Sequence, residues 1–153
     1  METAKKIGRY ERIYQQLTEL VPKSNDPVSR MATIAAVLYH KMDTFFWCGF
    51  YLLKNERLLV GPYQGPVACQ ELKTDTGVCW AGINQKKTIV VQDVHDFPGH
   101  IACDSRSKSE VVVPLKDKNG AIIGVLDVDG KDFNCFDAVD AEWLKKIVPL
   151  IFM

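Results

Sequence analysis

The sequence lacks the features that would tie the chain to a membrane or to nucleic acid. No apolar run approaches the roughly 20 residues that a membrane-spanning helix needs. The 19 basic and 19 acidic residues give a formal net charge of zero, whereas nucleic acids and anionic membranes select a basic surface. No apolar signal segment follows the first residues. We therefore expect a cytoplasmic protein with neither nucleic acid nor membrane among its partners.

The cysteines lack the short spacings that are typical of structural zinc sites and thioredoxin-type motifs. They are Cys48, Cys69, Cys79, Cys103 and Cys135, and no two of them form a Cys-X-X-Cys pair. We therefore expect no bound metal. Taken alone, each cysteine is more often an inert buried residue than a catalyst.

The sequence contains enough hydrophobic residues to form one hydrophobic core. Hydrophobic residues make up 47% of the 153 positions, so we predict a single domain over residues 1–153. Apolar residues at helical spacing predict a helix over residues 3–21. A second helix should begin at Pro27 behind the N-cap Asp26 and run to about residue 42. A last helix opens at Phe136-Asp137, and Pro149 should kink or end it.

Five apolar stretches predict an antiparallel sheet, and together with the helices they indicate a mixed α/β fold. The stretches cover residues 45–53, 58–63, 88–92, 109–115 and 121–130. Turns at residues 54–57 and at Asn119-Gly120 join the first pair and the last pair as hairpins. Residues 64–76 are predicted to be irregular, residues 77–85 a short helix and residues 93–108 a long loop.

The loop over residues 93–108 combines features of a reactive site. It contains Cys103 together with His95 and His100, which flank a Pro-Gly turn. A connection of this length without secondary structure is usually functional or disordered. A cysteine on a polar loop ahead of a buried strand is placed to react. Either histidine could favour the Cys103 thiolate, but ordering of the loop is the role predicted for both.

Acidic residues are predicted to converge beside the end of this loop. Asp127 and Asp129 lie two apart on one strand, so they point to the same face of the sheet. The hairpin around Asn119-Gly120 brings Glu110 near that pair. If all three acids were buried and ionised they would repel one another, so at least one should have a raised pKa. A strand end that points into water would explain the cluster equally well.

Aromatic residues on the first strand are candidates for a pocket wall. Trp47, Gly49 and Tyr51 share one face because side chains alternate along a strand. Two rings with a gap between them could line a small pocket, or they could be core aromatics.

Several stretches taken together resemble the free methionine-(R)-sulfoxide reductases, which are stand-alone GAF-domain enzymes. They are residues 47–51, 77–79, 93–104, 108–114 and 123–129, and the motif His100-Ile101-Ala102-Cys103-Asp104 is the most specific of them. The resemblance covers roughly residues 10–150. It implies an α+β GAF domain with a six-stranded antiparallel sheet and flanking helices, usually as a homodimer.

The resemblance also implies a role for each candidate residue. Cys103 would attack the sulfoxide and become a sulfenic acid, and Cys69 would resolve it as a disulfide, with Cys79 as the alternative. Asp127 is favoured as the protonated acid that polarises the sulfoxide. The residues that would bind free methionine sulfoxide are Trp47, Tyr51, Glu110, Asp127 and Asp129. No cofactor is implied, and thioredoxin or another dithiol would be the external reductant.

Two other functions use the same features. A non-catalytic GAF module would bind a small effector in the pocket, and a redox sensor would form the disulfide without a substrate. The predicted function is the reduction of free methionine (R)-sulfoxide, with the sensor module as its alternative.

Overall fold

The helices of the protein follow its hydrophobic pattern closely. The computed structural model describes residues 1–100 and 104–153. The four helices are α1 (Thr3–Leu20), α2 (Pro27–Lys41), α3 (Gly77–Gln85) and α4 (Ala138–Ile147). The Asp26 side chain caps α2 by accepting a hydrogen bond from the backbone N–H of Ser29. Helix α4 ends ahead of Pro149, and the chain continues as a 3-10 helix over Val148–Phe152. None of the helices described is both long enough and apolar enough to cross a membrane.

Six antiparallel strands form one sheet, in the order β3-β2-β1-β6-β5-β4. The strands are β1 (Phe45–Lys54), β2 (Arg57–Gln64), β3 (Glu71–Leu72), β4 (Ile89–Val91), β5 (Ser109–Lys116) and β6 (Ile122–Gly130). The α+β architecture expected from the sequence is confirmed, whereas the single-domain boundary at residues 1–153 stays a prediction.

Two short elements lie where the sequence predicted irregular chain, so that prediction was wrong at both places. Strand β3 lies within residues 64–76 and forms one edge of the sheet by pairing with β2, where Leu58 stands opposite Leu72. A strand of two residues carries no periodic signal, so its pairing partner determines it rather than its local sequence. A 3-10 helix over Val94–Asp96 interrupts the loop after β4, because the Asp93 side chain accepts a hydrogen bond from the backbone N–H of His95.

Each face of the sheet carries its own apolar cluster. Helices α1, α2 and α4 supply Leu17, Leu38 and Leu144 to a cluster that also contains Cys48 and Phe50 of β1. On the opposite face, α3 packs against a second cluster. That cluster includes Trp47, Tyr51, Val78, Cys79, Val112 and Val125. The alternation of side chains along β1, β5 and β6 therefore sends every second residue toward α3.

A bulge in β1 determines which aromatic residues face α3. The pairing of β1 with β6 shifts register between Phe45 and Trp47. Phe45 consequently belongs to the cluster under the three helices, although Trp47, two residues later, belongs to the cluster under α3. The bulge therefore turns Phe45 away from α3, whereas Trp47 shares the α3 face with Tyr51 through regular strand alternation.

Candidate active site

Three carboxyl side chains meet on the α3 face of β5 and β6. Glu110 stands directly opposite Asp129 in the ladder between these strands, and Asp127 lies two residues before Asp129. Glu110 and Asp127 are each only 5% exposed, and Asp129 is partly buried. The convergence that the hairpin geometry predicted is therefore observed, and the acids face the interior rather than water.

Burial raises the pKa of all three carboxyls, but the hydrogen bonds differ among them. Burial, followed by the charges of Asp127 and Asp129, raises the pKa of Glu110 well above its usual range. Burial and the charge of Asp127 raise the pKa of Asp129 well above its usual range, although a hydrogen bond with Ser107 opposes the rise. Burial also raises the pKa of Asp127, but hydrogen bonds with Glu110 and Cys79 lower it. Asp127 is therefore the carboxyl that neighbouring groups favour in its charged form.

Cys79 projects from α3 onto these carboxyls. Its Sγ donates a hydrogen bond to Oε2 of Glu110 at 3.9 Å, and the residue is buried. The close approach of α3 depends on Gly82, where an added Cβ would lie 2.9 Å from Cγ1 of Val112 on β5. Burial, followed by the charges of Asp127 and Glu110, raises the pKa of the Cys79 thiol well above its usual range. A thiol in this setting stays protonated and is a poor nucleophile.

Aromatic rings of β1 lie beside the acids on the same face of the sheet, where Trp47 pairs with Asp129. The rings of Trp47 and Tyr51 are stacked with their centroids 5.8 Å apart. Trp47 Nε1 donates to the carbonyl oxygen of Pro66 at 3.1 Å, and the Tyr51 hydroxyl donates to that of Cys69 at 2.9 Å. The polar ends of both rings therefore hold residues 66–69 over the sheet, and both rings line the space between.

These groups enclose a cavity of about 110 Å³ between the sheet, α3 and residues 66–69. Its lining includes all the described residues that the sequence predicted for the site. They are Trp47, Tyr51, Cys69, Cys79, Glu110, Asp127 and Asp129. The predicted attacking thiol, Cys103, lies outside the described residues. A small enclosed space with apolar walls and a few convergent polar groups is typical of a small-molecule site.

The cysteines differ in their bonding. Cys69 is disulfide-bonded, whereas Cys48, Cys79 and Cys135 are free. Cys48 is fully buried under the helices, and the Cys135 thiol donates to the carbonyl oxygen of Asp132 at 3.2 Å. The contacts of Cys48 and Cys135 are those of structural residues.

Residues 26–151 match the GAF domain family. The chain belongs to the GAF-domain family. It is 44% identical to GAF domain-containing protein A of Dictyostelium discoideum, over 95% of this chain and 92% of that protein. It is 37% identical to the free methionine-R-sulfoxide reductase of Escherichia coli, over 91% of this chain and 84% of that protein.

A solved structure shows the same similarity in three dimensions. The free methionine-R-sulfoxide reductase of Neisseria meningitidis, solved in complex with its substrate, matches with a TM-score of 0.91 and 38% identity. The match covers 95% of this GAF domain and 87% of that chain. The similarities of sequence and structure confirm the resemblance to the free methionine-(R)-sulfoxide reductases.

The cavity of this GAF domain also contains a histidine for which the sequence predicted mainly a role in ordering the loop. His100 lines the cavity, with its Nδ1 4.0 Å from Oε1 of Glu110. Its Nε2 is buried and has no hydrogen-bond partner within residues 1–100 and 104–153. Burial, followed by the charge of His95, lowers the pKa of His100, so the ring is neutral at neutral pH. The available sequence signal was its place three residues before Cys103.

The part of the loop that follows residue 103 is anchored beside the cavity. Arg106 pairs with Asp104 at 2.7 Å, and its guanidinium lies 4.9 Å from the ring centroid of Phe46. Ser107 is buried and hydrogen-bonds to Asp129. No sequence signal pointed to Ser107, because its position depends on how the loop packs against β6.

Proposed function

We propose that this GAF domain reduces free methionine (R)-sulfoxide to methionine through a cysteine thiolate, a sulfenic acid and a disulfide. The observation that carries the proposal is one small cavity whose lining brings together the predicted site residues. They are Trp47, Tyr51, Glu110, Asp127, Asp129, Cys69 and Cys79. The similar protein from Neisseria meningitidis was solved with its substrate bound, and its name gives that substrate as free methionine-R-sulfoxide.

Asp127 is the proposed partner of the substrate's α-ammonium group. Its Oδ1 is buried and has no hydrogen-bond partner within the described ranges. A charge-assisted bond from an ammonium group would satisfy that oxygen and neutralise the buried charge. A methionine sulfoxide residue inside a peptide has no α-ammonium, so this contact would select the free amino acid. The faces of Trp47 and Tyr51 would pack against the methyl and methylene groups.

Glu110 is the proposed proton donor to the sulfoxide oxygen. The sequence analysis favoured Asp127 for this role. The hydrogen bonds that lower the pKa of Asp127, beside a strongly raised pKa of Glu110, support placing the proton on Glu110. A protonated acid that bonds the oxygen draws electrons from the sulfur, which makes the sulfur easier to attack.

The proposed redox steps use two thiols for each sulfoxide. The Cys103 thiolate attacks the sulfoxide sulfur while Glu110 protonates its oxygen. The hydroxyl then passes from that sulfur to Sγ of Cys103, so the substrate's S–O bond breaks, methionine leaves and Cys103 becomes a sulfenic acid. The Cys69 thiolate then attacks that sulfur, so a disulfide forms and the oxygen leaves as water. Thioredoxin or a similar dithiol would reduce the disulfide. The disulfide-bonded state of Cys69 and the free, protonated state of Cys79 support Cys69 as the resolving residue.

Single serine variants of the cysteines test this sequence of steps. We expect Cys103→Ser to release no methionine from the free R epimer, measured by chromatography with thioredoxin present. Cys69→Ser should release about one methionine per site and then stop, because the sulfenic acid has no resolving partner. Cys135→Ser is the matched control and should turn over like the unmodified protein.

Two results would change the proposal. Full turnover by Cys103→Ser would overturn it, and undiminished multiple turnover by Cys69→Ser would transfer the resolving role to Cys79. A sensor that forms the disulfide without a substrate would release no methionine from either epimer. The homodimer stays a prediction that light scattering can check.

A further inference from the structure

One group of side chains in the cavity combines two carboxyls with a thiol that the proposed reaction does not use. The Sγ of Cys79 and one carboxylate oxygen each from Glu110 and Asp127 all lie within 4.8 Å of one another, and all three residues are buried. Cys79 neither attacks nor resolves in the proposed mechanism, so its thiol is left without a chemical role there.

We propose that Cys79, Glu110 and Asp127 form a binding site for a thiophilic divalent cation, Zn²⁺, which occupies the place of the substrate's ammonium group. The cation is a competitor of the substrate and not a resident cofactor, because the redox steps proposed above use thiols alone. Binding of the metal does not depend on the proposed reductase function, whereas competition with the substrate rests on it.

The donor atoms fit zinc better than the hard cations. Mg²⁺ and Ca²⁺ take oxygen ligands, whereas Zn²⁺ takes sulfur and oxygen together in tetrahedral geometry. Bond lengths of about 2.3 Å to sulfur and about 2.0 Å to oxygen separate the ligand atoms by roughly 3.3–3.6 Å. Sγ of Cys79 already lies 3.9 Å from Oε2 of Glu110, so small side-chain movements would bring the donors into range.

A second observation points to a missing cationic partner. Oδ1 of Asp127 is buried without a hydrogen-bond partner in the described chain, on a residue that is 5% exposed. An unpartnered buried carboxylate oxygen is costly, and a bound cation removes that cost. His100 lines the same cavity with an unpartnered ring nitrogen, so a neutral imidazole stands beside the three ligands. Three protein ligands leave a fourth position for water or for that ring.

Proton release is the expected signature of this site. The Cys79 thiol donates its proton to Oε2 of Glu110 in the metal-free protein, so a metal that binds Sγ must displace that proton. Metal ligands bind as thiolate and carboxylate, so affinity rises as the pH rises. We expect zinc to bind more tightly at about pH 8 than at about pH 6, with net proton release.

The binding test uses the Cys69→Ser/Cys103→Ser double variant, in which those two thiols cannot contribute ligands. Zn²⁺ affinity is measured by competition with a chromogenic chelator, and Co²⁺ serves as a spectroscopic probe of thiolate ligation. Adding Cys79→Ser should weaken Zn²⁺ binding at least about tenfold and remove the thiolate-to-Co²⁺ absorption band. Adding Cys135→Ser instead is the matched control and should change neither measurement.

Unchanged zinc affinity after Cys79→Ser would overturn the proposal. The proposal would also fail if the thiolate-to-Co²⁺ band persisted in the Cys79→Ser variant and disappeared only in the Cys135→Ser variant. If the Cys79 variant fails to fold, Glu110→Gln replaces it and should also weaken binding at least about tenfold. Failure of that variant to weaken binding would equally overturn the site.

A competition experiment separates this proposal from the reductase function. Free methionine sulfoxide added to the double variant should raise the apparent Kd for Zn²⁺, because both ligands need Asp127. If zinc binds through Cys79 but the unmodified protein releases no methionine, the proposed function fails and the metal site stands. If methionine is released and no zinc binds, the metal site fails and the function stands.

Discussion

Asp127 combines burial, an unpartnered oxygen and a hydrogen-bonding environment that favours its charged form. Oδ1 has no hydrogen-bond partner within the described residues, and hydrogen bonds with Glu110 and Cys79 offset part of the rise in pKa that burial causes. A residue of this kind is stabilised when a cation arrives. Both the substrate contact and the zinc site that we propose depend on this property.

The variant Asp127→Asn tests the contact with the ammonium group, because the amide keeps the shape of the carboxylate and removes its charge. We expect KM for free methionine sulfoxide to rise by about 10- to 100-fold, since a hydrogen bond to a charged group contributes about 1.5–3 kcal/mol. Steady-state kinetics with the R epimer measure it. Asp43→Asn is the control, because Asp43 is exposed and pairs with Arg9. An unchanged KM in Asp127→Asn would remove Asp127 from substrate binding.

At the scale of single residues, the sequence predicts position better than protonation. The meeting of Glu110 with Asp129 follows from strand alternation and a hairpin count, and both are local geometry. The preference of Asp127 for its charged form depends on Cys79, which approaches from α3. Contacts between separate elements carry no signature in the sequence. The chemical assignment of the acids therefore needed the packed structure.

Strand β1 carries the aromatic wall, and Gly49 permits its geometry. Gly49 stands opposite Asp127 in the sheet, between Trp47 and Tyr51 along the strand. A Cβ added there would lie 2.2 Å from Cβ of Tyr63 and 2.8 Å from the Trp47 ring. The gap that the sequence predicted between the two rings is therefore filled by the Trp47 ring and by Tyr63.

Gly49→Ala should damage both the strand and the cavity. Overpacking of this kind costs about 1–3 kcal/mol, because Trp47 or Tyr63 must move away. We expect a lower urea midpoint and a raised KM, measured by denaturation and by kinetics on the same preparation. Gly8→Ala is the control, because its added Cβ meets only Arg12 at 3.4 Å and alanine favours a helix. Equal stability of Gly49→Ala and the unmodified protein would show that the aromatic wall adjusts freely.

Long, strongly patterned elements were predictable, and short ones were not. The helical spacing of apolar residues predicts α1 and α2, and the Asp26 cap also marks the start of α2. Strand β3 exists because β2 offers an unpaired edge, and residues 66–69 are positioned by hydrogen bonds from Trp47 and Tyr51. Such segments take their conformation from distant partners, so pattern recognition misses them.

For the molecule as a whole, the buried acids make stability depend on pH. The pKa values of Glu110, Asp127 and Asp129 are raised in the folded state, so between about pH 4 and those raised values the folded chain binds more protons than the unfolded chain. The stabilisation from these protonated acids is complete below their unfolded pKa values. It is lost as the pH rises through the folded values.

Glu110→Gln should flatten this dependence, because the amide resembles a protonated carboxyl and does not titrate. We expect the fall in unfolding free energy between about pH 5 and 8 to shrink by up to about 1.4 kcal/mol per pH unit, the value for one proton. Urea denaturation across that range measures it. Glu71→Gln is the control, because Glu71 is exposed, pairs with Arg57 and has a lowered pKa, so its effect lies at acid pH. An equal slope in Glu110→Gln and the unmodified protein would show that Glu110 is ionised in the folded state. The proton that we assign to the sulfoxide oxygen would then have to come from another group.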